Sequence, residues 1–229
     1  MRNERVLLEV IATTVADAKA AACGGADRLE LITAMGEGGL TPGIGMIEAV
    51  VAAVPIPVNV IVRPHSRSFV YDADELAVIL RDVRAARLAG ANAAVVGMLT
   101  ASREVDRDAL LRVVDAADGM PLTFHRAFDD ARDLREALDV LLRVDGVANV
   151  LTSGGKPSVL DAVEEVRALV AQAAGSTCTV LAGAGLTIDR CAGFVHAARV
   201  KAVHFGSGVR EDGVVVEDLV QRVRTLLDA

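Results

Sequence analysis

Aromatic residues are scarce in this chain, and their scarcity limits what it can bind. Of the 229 residues none is Trp, one is Tyr and five are Phe, and the formal net charge is −7. A nucleic-acid surface needs basic patches and aromatic side chains on which bases can stack. We therefore expect a small ligand and no nucleic-acid partner.

Cysteine is also rare. The three cysteines, Cys23, Cys178 and Cys191, are odd in number and show no C-x-x-C spacing. This pattern indicates neither a disulfide framework nor a zinc site formed by residues close in sequence. We interpret the three as small buried hydrophobic residues.

Long uninterrupted apolar runs are missing, although the mean hydropathy is high at +0.41. The longest apolar stretch, residues 49–62, contains two prolines and falls short of the ~18 residues that a transmembrane helix needs. Near the N-terminus, Glu4, Arg5 and Glu9 interrupt the apolar core that a signal peptide would have. We expect a cytoplasmic protein that does not bind membranes.

A repeated β/α pattern runs through the whole sequence. Apolar, strand-like runs recur at the spacing of one βα unit, beginning near Val6, Asp27, Pro57, Ala93, Pro121, Val147, Thr177 and Ala202. Eight strands alternating with eight helices predict a parallel sheet, either a closed barrel or an open doubly wound sheet. The count favours an α/β fold of the (β/α)8, TIM-barrel type. No linker divides the chain, so we predict a single domain, 1–229.

Two of the intervening helices have clear sequence signals. In the third interval, apolar residues follow i, i+3, i+4, i+7 spacing, with Asp72 or Asp74 as the N-cap and Gly90 as the stop. These apolar residues are Leu76, Ile79, Leu80 and Val83. In the sixth interval, Pro157 and Ser158 open and Gly175 closes a predicted helix. Its apolar stripe consists of Val159, Val163, Val166 and Val170.

Charged residues lie within or directly after several of the predicted strands: Glu9, Arg28, Glu30, Arg63, His125 and Arg126. Loops after the strands form the ligand face of such a barrel. Glu9 or Glu30 is predicted to act as a base and His125 as an acid, with Arg63 or Arg126 holding substrate charge. The alternative is an ion-pair network without chemistry.

Glycine-rich loops follow several strands. Residues 33–45 form either a lid or a long connection. The turns at 152–155, 182–185 and 206–208 could be anion nests or plain corners. The predicted ligand-binding glycines are Gly154, Gly183, Gly185 and Gly206, with added charge from Lys156 and Arg210.

The remaining candidates are a histidine and two methionines. His204, in the eighth strand, could join the ligand face, but we favour a neutral core histidine bonded to a backbone carbonyl. Met35 and Met98 could be soft ligands for Cu(I), although most methionines simply pack in the core.

Six motifs in order, LLEV, GGADRLEL, EGGLTPGIGMIEAV, VIVRP, TFHRAFD and VLTSGG, resemble the CutC family of copper homeostasis proteins. The resemblance implies a cytoplasmic TIM-type barrel, a homodimer and a link to copper handling. The recurring polar set of the family falls here on Glu9, Arg28, Glu30, Arg63, His125, Arg126, Asp129 and Ser153. Of these, we expect Arg28, Arg63, Arg126, Asp129 and Ser153 to bind ligand.

One departure from the family pattern bears on the copper function. Many members carry cysteine after L-E-V and after E-L, where this chain has Ile11 and Ile32. Isoleucine cannot ligate a metal, so copper would need ligands such as His125, Met35 or Met98.

Two hypotheses follow. The first is a copper-binding protein that acts in copper homeostasis. The second is an enzyme of lyase, isomerase or aldolase type that acts on a small anionic or phosphorylated substrate through Glu30 and His125. In a variant of the second, Glu9, Glu30 and His125 hold a divalent metal.

Overall fold

The chain folds as a closed barrel of eight parallel strands surrounded by helices. The computed structural model describes residues 5–229; residues 1–4, including Glu4 of the N-terminal segment considered above, lie outside the described part. The strands, β1 to β8, are Leu7–Ala12, Arg28–Leu31, Val58–Ile61, Ala93–Val96, Leu122–Phe124, Val147–Thr152, Thr179–Gly183 and Ala202–Phe205. Each strand pairs with the next and β1 pairs with β8. The predicted TIM-type barrel is therefore confirmed, and the open sheet is excluded.

Helices follow the strands and cover the outside of the barrel. They are α1 to α8: Val15–Cys23, Ile44–Ala53, Ala73–Leu88, Arg107–Ala117, Leu134–Leu141, Val163–Gln172, Ile188–Ala198 and Glu217–Asp228. A short antiparallel hairpin, β9 (Arg210–Glu211) and β10 (Val214–Val215), precedes α8. Within residues 5–229, no helix has both the length and the apolar character needed to cross a membrane.

The two helices with clear sequence signals differ in how well their starts were predicted. Asp72 caps α3 in a capping box with Glu75, as predicted. The predicted start of the sixth helix is wrong, because Ser158 instead caps a separate 3-10 turn at Val159–Asp161 and α6 begins at Val163. The Ser158 hydroxyl accepts the Leu160 N–H, and such local side-chain bonds favour turns over helix.

Strand pairing positions the polar side chains inside the barrel. The Cα of Glu9 is paired with that of Arg28 on one side and that of His204 on the other, while Glu30 is paired with Asn59. Side chains alternate between the two faces of a strand. The mutual contacts of these polar groups, described below, show that they point into the barrel.

Candidate active site

A cavity of about 480 Å³ opens inside the barrel near the carboxyl-terminal ends of the strands. Its ionisable wall residues include Glu30, Arg63, His125, Arg126 and His204. Apolar side chains form much of the rest of the wall: Ile11, Ile32, Met35, Ile61, Phe69 and Leu151. A concave, largely apolar space with a few convergent polar groups is typical of a small-molecule site.

His204 connects two buried carboxylates beside this cavity. Its Nδ1 lies 2.7 Å from Glu9 Oε1, and its Nε2 lies 3.7 Å from Glu30 Oε2. Glu30 and His204 line the cavity, whereas Glu9, which is 1% exposed, lies behind them. An acid–base group on the cavity wall is thus supported by a second, fully enclosed carboxylate.

The three groups of this cluster have shifted proton affinities. Burial, reinforced by the charge of Glu9, raises the pKa of Glu30 to about 7, against the opposing effect of His204. Burial would lower the pKa of His204, but the Glu30 and Glu9 carboxylates outweigh it and raise that pKa. Burial would raise the pKa of Glu9, but Arg28 and His204 outweigh it and lower that pKa. Glu30 can therefore either accept or donate a proton near neutral pH.

Arg28 pairs with the buried Glu9 carboxylate and does not line the cavity. Its Nε donates to Glu9 Oε2 at 2.5 Å, and the Asn59 amide donates to the same oxygen at 3.3 Å. Asn92 donates to Asn59 Oδ1 at 2.9 Å and so fixes which end of that amide faces Glu9. Arg28 was predicted to bind ligand. In the structure its guanidinium instead pairs with the Glu9 carboxylate.

His125 lies on the cavity wall as a neutral ring. Its Nδ1 accepts the Ala127 N–H at 3.1 Å, and its ring packs against Phe69 with centroids 5.2 Å apart. Burial, with the positive charge of Arg63 adding to it, lowers the pKa of His125 to about 3. The predicted role of His125 as a general acid does not suit a ring that stays neutral.

Arg63 holds the glycine-rich loop at 33–45. Its Nη1 donates to the carbonyls of Glu37 and Gly39 at 3.1 and 3.2 Å, and its backbone N–H donates to the Thr41 hydroxyl. Its guanidinium lies over Phe69, 4.8 Å from the ring centroid. The loop is closed by a bridge between residues 33 and 40. These hydrogen bonds hold the loop in place at the cavity rim.

Arg126 brings a second positive charge to the rim. Its Nε donates to Asp129 Oδ2 at 2.8 Å and its Nη2 to the Ser153 hydroxyl at 3.0 Å. Asp129 in turn accepts bonds from the Thr152 hydroxyl and the Gly155 N–H. Asp129 and Ser153, predicted to bind ligand, thus hold Arg126 in place, and Arg126 is the member of this group that lines the cavity.

The predicted anion-binding glycines divide into two groups. Gly185 and Gly206 line the cavity, as expected for ligand-facing turns. A Cβ on Gly154 would lie 2.6 Å from Ala162 Cβ, and one on Gly183 would lie 2.8 Å from a Leu151 methyl. Close packing explains these two glycines, which do not line the cavity; that they bind ligand stays a prediction.

The two cationic residues predicted beside those turns do not line the cavity. Arg210 pairs with Asp17 at 3.0 Å and donates to the carbonyls of Gly213 and Ile11. Lys156 is exposed beyond the cavity wall, and its carbonyl accepts the Ser153 hydroxyl.

The cysteine chemistry of the chain does not fit a resident copper ion. Ile11 and Ile32 belong to an apolar cluster in the cavity wall. Burial raises the pKa of Cys178 to about 11 and that of Cys191 to about 12, which disfavours the thiolate that binds metal. Cys23 is exposed on α1, contrary to its predicted burial.

The predicted divalent-metal triad is not assembled either. Across residues 5–229, no three His, Cys, Asp or Glu side chains are grouped as metal ligands. His204 lies between the carboxylates where His125 was expected, and Arg28 neutralises Glu9. Met98 is buried in the core, while Met35 lines the cavity.

His204 lines the cavity, which was the less favoured of its two predicted positions. The favoured interpretation, a neutral ring bonded to a backbone carbonyl, is wrong, because the ring bonds to the Glu9 carboxylate. The same signal that selected the other candidates, a polar residue inside a strand-like apolar run, is present in AVHFGSG. Its partner is 195 positions away in sequence, so the pairing follows from barrel closure.

Fold and site together define a TIM-barrel protein with a buried cluster of two glutamates and a histidine beside its central cavity. The profile of the CutC family matches residues 6–209, and the chain belongs to that family.

Relatives cover most of the chain. A CutC family protein from Caulobacter vibrioides strain NA1000 is 41% identical over 208 residues, 91% of this chain and 84% of that protein. The human protein named copper homeostasis protein cutC homolog is 39% identical over 181 residues, 79% of this chain and 66% of its own length.

Solved structures agree with the fold. The crystal structure of a CutC protein from Streptococcus agalactiae superposes with a TM-score of 0.83 at 27% identity, covering 90% of this chain and all of that one. N-(5'-phosphoribosyl)anthranilate isomerase from Pyrococcus furiosus superposes with a TM-score of 0.64 at 13% identity, covering 97% of this chain and 98% of that one. At that identity, the second likeness concerns the barrel fold alone.

Proposed function

We propose that the cavity binds a small anionic organic molecule and that Glu30, supported by His204 and Glu9, transfers a proton on it. The observation that carries the proposal is the histidine placed between two buried carboxylates, one of them on the cavity wall. Burial raises the pKa of Glu30 to about 7, the range in which a general base or acid is most effective.

Two fixed positive charges support the anionic character of the ligand. Arg63 and Arg126 both line the cavity, and each is oriented by hydrogen bonds to its surroundings. Guanidinium groups bind carboxylates and phosphates in defined geometries. A volume near 480 Å³ suits a metabolite and excludes a macromolecular substrate from the interior.

The test is calorimetric binding of simple probes, dihydroxyacetone phosphate and pyruvate. We expect R126M to weaken binding of the phosphorylated probe by about tenfold. R132M is the matched control, because Arg132 pairs with exposed Glu104 and Glu136 outside the cavity wall. Binding of neither probe to the unaltered protein would contradict the proposal, as would equal binding by R126M.

A copper-binding role in copper homeostasis is the second candidate, favoured by the name of the human relative. The cavity offers the Met35 thioether and the His125 ring as donors. A competition titration with Cu(I) under reducing conditions tests this candidate. Stoichiometric binding that is lost in H125A and in M35L would support it, and absence of binding would overturn it.

We also propose a cytoplasmic homodimer, which the family resemblance supports. Cell fractionation and light scattering of the purified protein test these two points separately. Recovery of the protein in another compartment would contradict the first, and a monomeric mass would contradict the second.

A further inference from the structure

The tautomer of His125 is set by the backbone. The ring begins a short 3-10 turn at Arg126–Asp130, and its Nδ1 accepts the Ala127 N–H. A neutral imidazole with an acceptor at Nδ1 carries its proton on Nε2. Gly97 leaves the space for this ring position, because a Cβ there would lie 2.4 Å from His125 Cε1.

The resulting Nε2–H group is buried and has no acceptor among residues 5–229. The whole side chain is 5% exposed, yet it lines the cavity. Arg63 has a second such donor, since its Nε is also buried without a partner in the described chain. Leaving a buried donor without an acceptor destabilises the fold, so an oxygen of a ligand in the adjoining cavity is the expected partner.

We propose that the cavity takes a small carbonyl compound, whose carbonyl oxygen accepts the His125 Nε2–H while Glu30 removes the proton from the adjacent carbon. This inference rests on the proposed function and names its substrate class and reaction. A neutral imidazole donor suits an enolate oxygen, because it stabilises the charge that develops there without becoming an acid itself.

The reaction balances without any further reactant. The C–H bond breaks, its electron pair forms the carbon–carbon double bond of an enolate, and the carbonyl π electrons move to the oxygen. Glu30 holds the proton as a carboxylic acid and returns it to carbon. Return to the same carbon exchanges the proton with solvent. In an α-hydroxy carbonyl compound, the hydroxyl proton moves to the enolate oxygen, and return of the Glu30 proton to the former carbonyl carbon then forms the new carbonyl group and gives the isomer. Lyase and aldolase chemistry are not needed.

Deuterium exchange tests the reaction directly. Dihydroxyacetone phosphate and pyruvate are incubated in D2O with the protein, and loss of the C–H signal next to the carbonyl is followed by NMR. We expect exchange above the buffer rate, reduced about 100-fold in E30Q and in H125A. The controls E48Q and H196Q change exposed residues of α2 and α7 and should keep the full rate.

The tautomer is tested separately with protein labelled with ¹⁵N in histidine. We expect His125 to show a protonated Nε2 and an unprotonated Nδ1 from about pH 5 to about pH 8. A proton on Nδ1, or a doubly protonated ring in this range, would overturn the inference. This measurement does not depend on either variant folding.

The outcomes separate this inference from the proposed function. Probe binding without exchange would overturn the carbonyl chemistry and leave anion binding intact. Exchange at the wild-type rate in folded E30Q would also overturn it. Absence of binding would overturn both.

Discussion

At the residue scale, the two buried carboxylates of the site differ in how closely positive charges approach them. Glu9 is neutralised by Arg28 at 2.5 Å and His204 at 2.7 Å. Glu30 has its nearest cation at 3.7 Å, again on His204. Pushing apart the proton affinities of two acidic groups is a common way to create an acid–base function.

The first prediction concerns Glu30 and stability. The pKa of Glu30 rises from 4.5 in the unfolded chain to about 7 in the fold, so its protonated form stabilises the folded state. This contribution is complete below about pH 4.5 and is lost as the pH rises through about 7. E30Q removes this dependence. Relative to wild type, E30Q should gain on the order of 3 kcal/mol in the free energy of unfolding between acidic and alkaline pH. Urea unfolding of both proteins across this pH range measures the difference. A free energy of unfolding that changes equally with pH in the two proteins would contradict the raised pKa of Glu30.

The second prediction concerns Glu9. E9Q leaves the buried Arg28 and His204 cations without their shared anion, so we expect a loss of roughly 3–5 kcal/mol in the free energy of unfolding. The exposed substitution E48Q should change it by less than about 0.5 kcal/mol. Equal stability of E9Q and wild type would show that the pair does not support the fold.

At the element scale, strand ends and the turns after them position the ligand-facing groups. Sequence patterns predicted the eight strands because each is buried on both faces and therefore apolar throughout. They also predicted that Glu9, Glu30 and His125 belong to this region. They could not predict that Arg28 would neutralise Glu9 or that Gly154 would pack against Ala162, because such contacts depend on register and on helix packing.

The third prediction concerns the turn after β4. In G97A, the added Cβ would meet His125 Nδ1 at 2.4 Å and Ala127 Cβ at 2.9 Å, so the His125 ring must move. We expect weaker probe binding and a loss of roughly 1–3 kcal/mol in stability. G193A is the control: its Cβ meets nothing within 4 Å, and alanine should stabilise α7 by up to about 1 kcal/mol. Unchanged probe binding by G97A would contradict the role given to His125.

At the scale of the whole molecule, the barrel joins residues from opposite ends of the chain. Its closure between β1 and β8 places His204 beside Glu9, and α8 packs back onto the start of the barrel through Arg224. That side chain donates to the Val6 carbonyl and to Asp27 Oδ2, both at 2.9 Å. The polar cluster therefore exists only when the ring of strands is complete.

The fourth prediction concerns this closure. R224M should destabilise the protein by roughly 2–3 kcal/mol, since it leaves Asp27 and a backbone carbonyl with fewer partners. R222M, on the exposed side of the same helix, should have little effect. Thermal unfolding followed by circular dichroism measures both; a similar shift in the two variants would contradict a specific role for Arg224.

Titration of the Glu30 carboxyl carbon by ¹³C NMR, with E30Q used to assign the signal, tests the proton-transfer role of Glu30 most directly. We expect an apparent pKa of about 7 that falls in E9Q, where the neighbouring negative charge is gone. A pKa near 4.5, the ordinary value for this side chain, would contradict the claim that Glu30 is the proton-transferring group of the cavity.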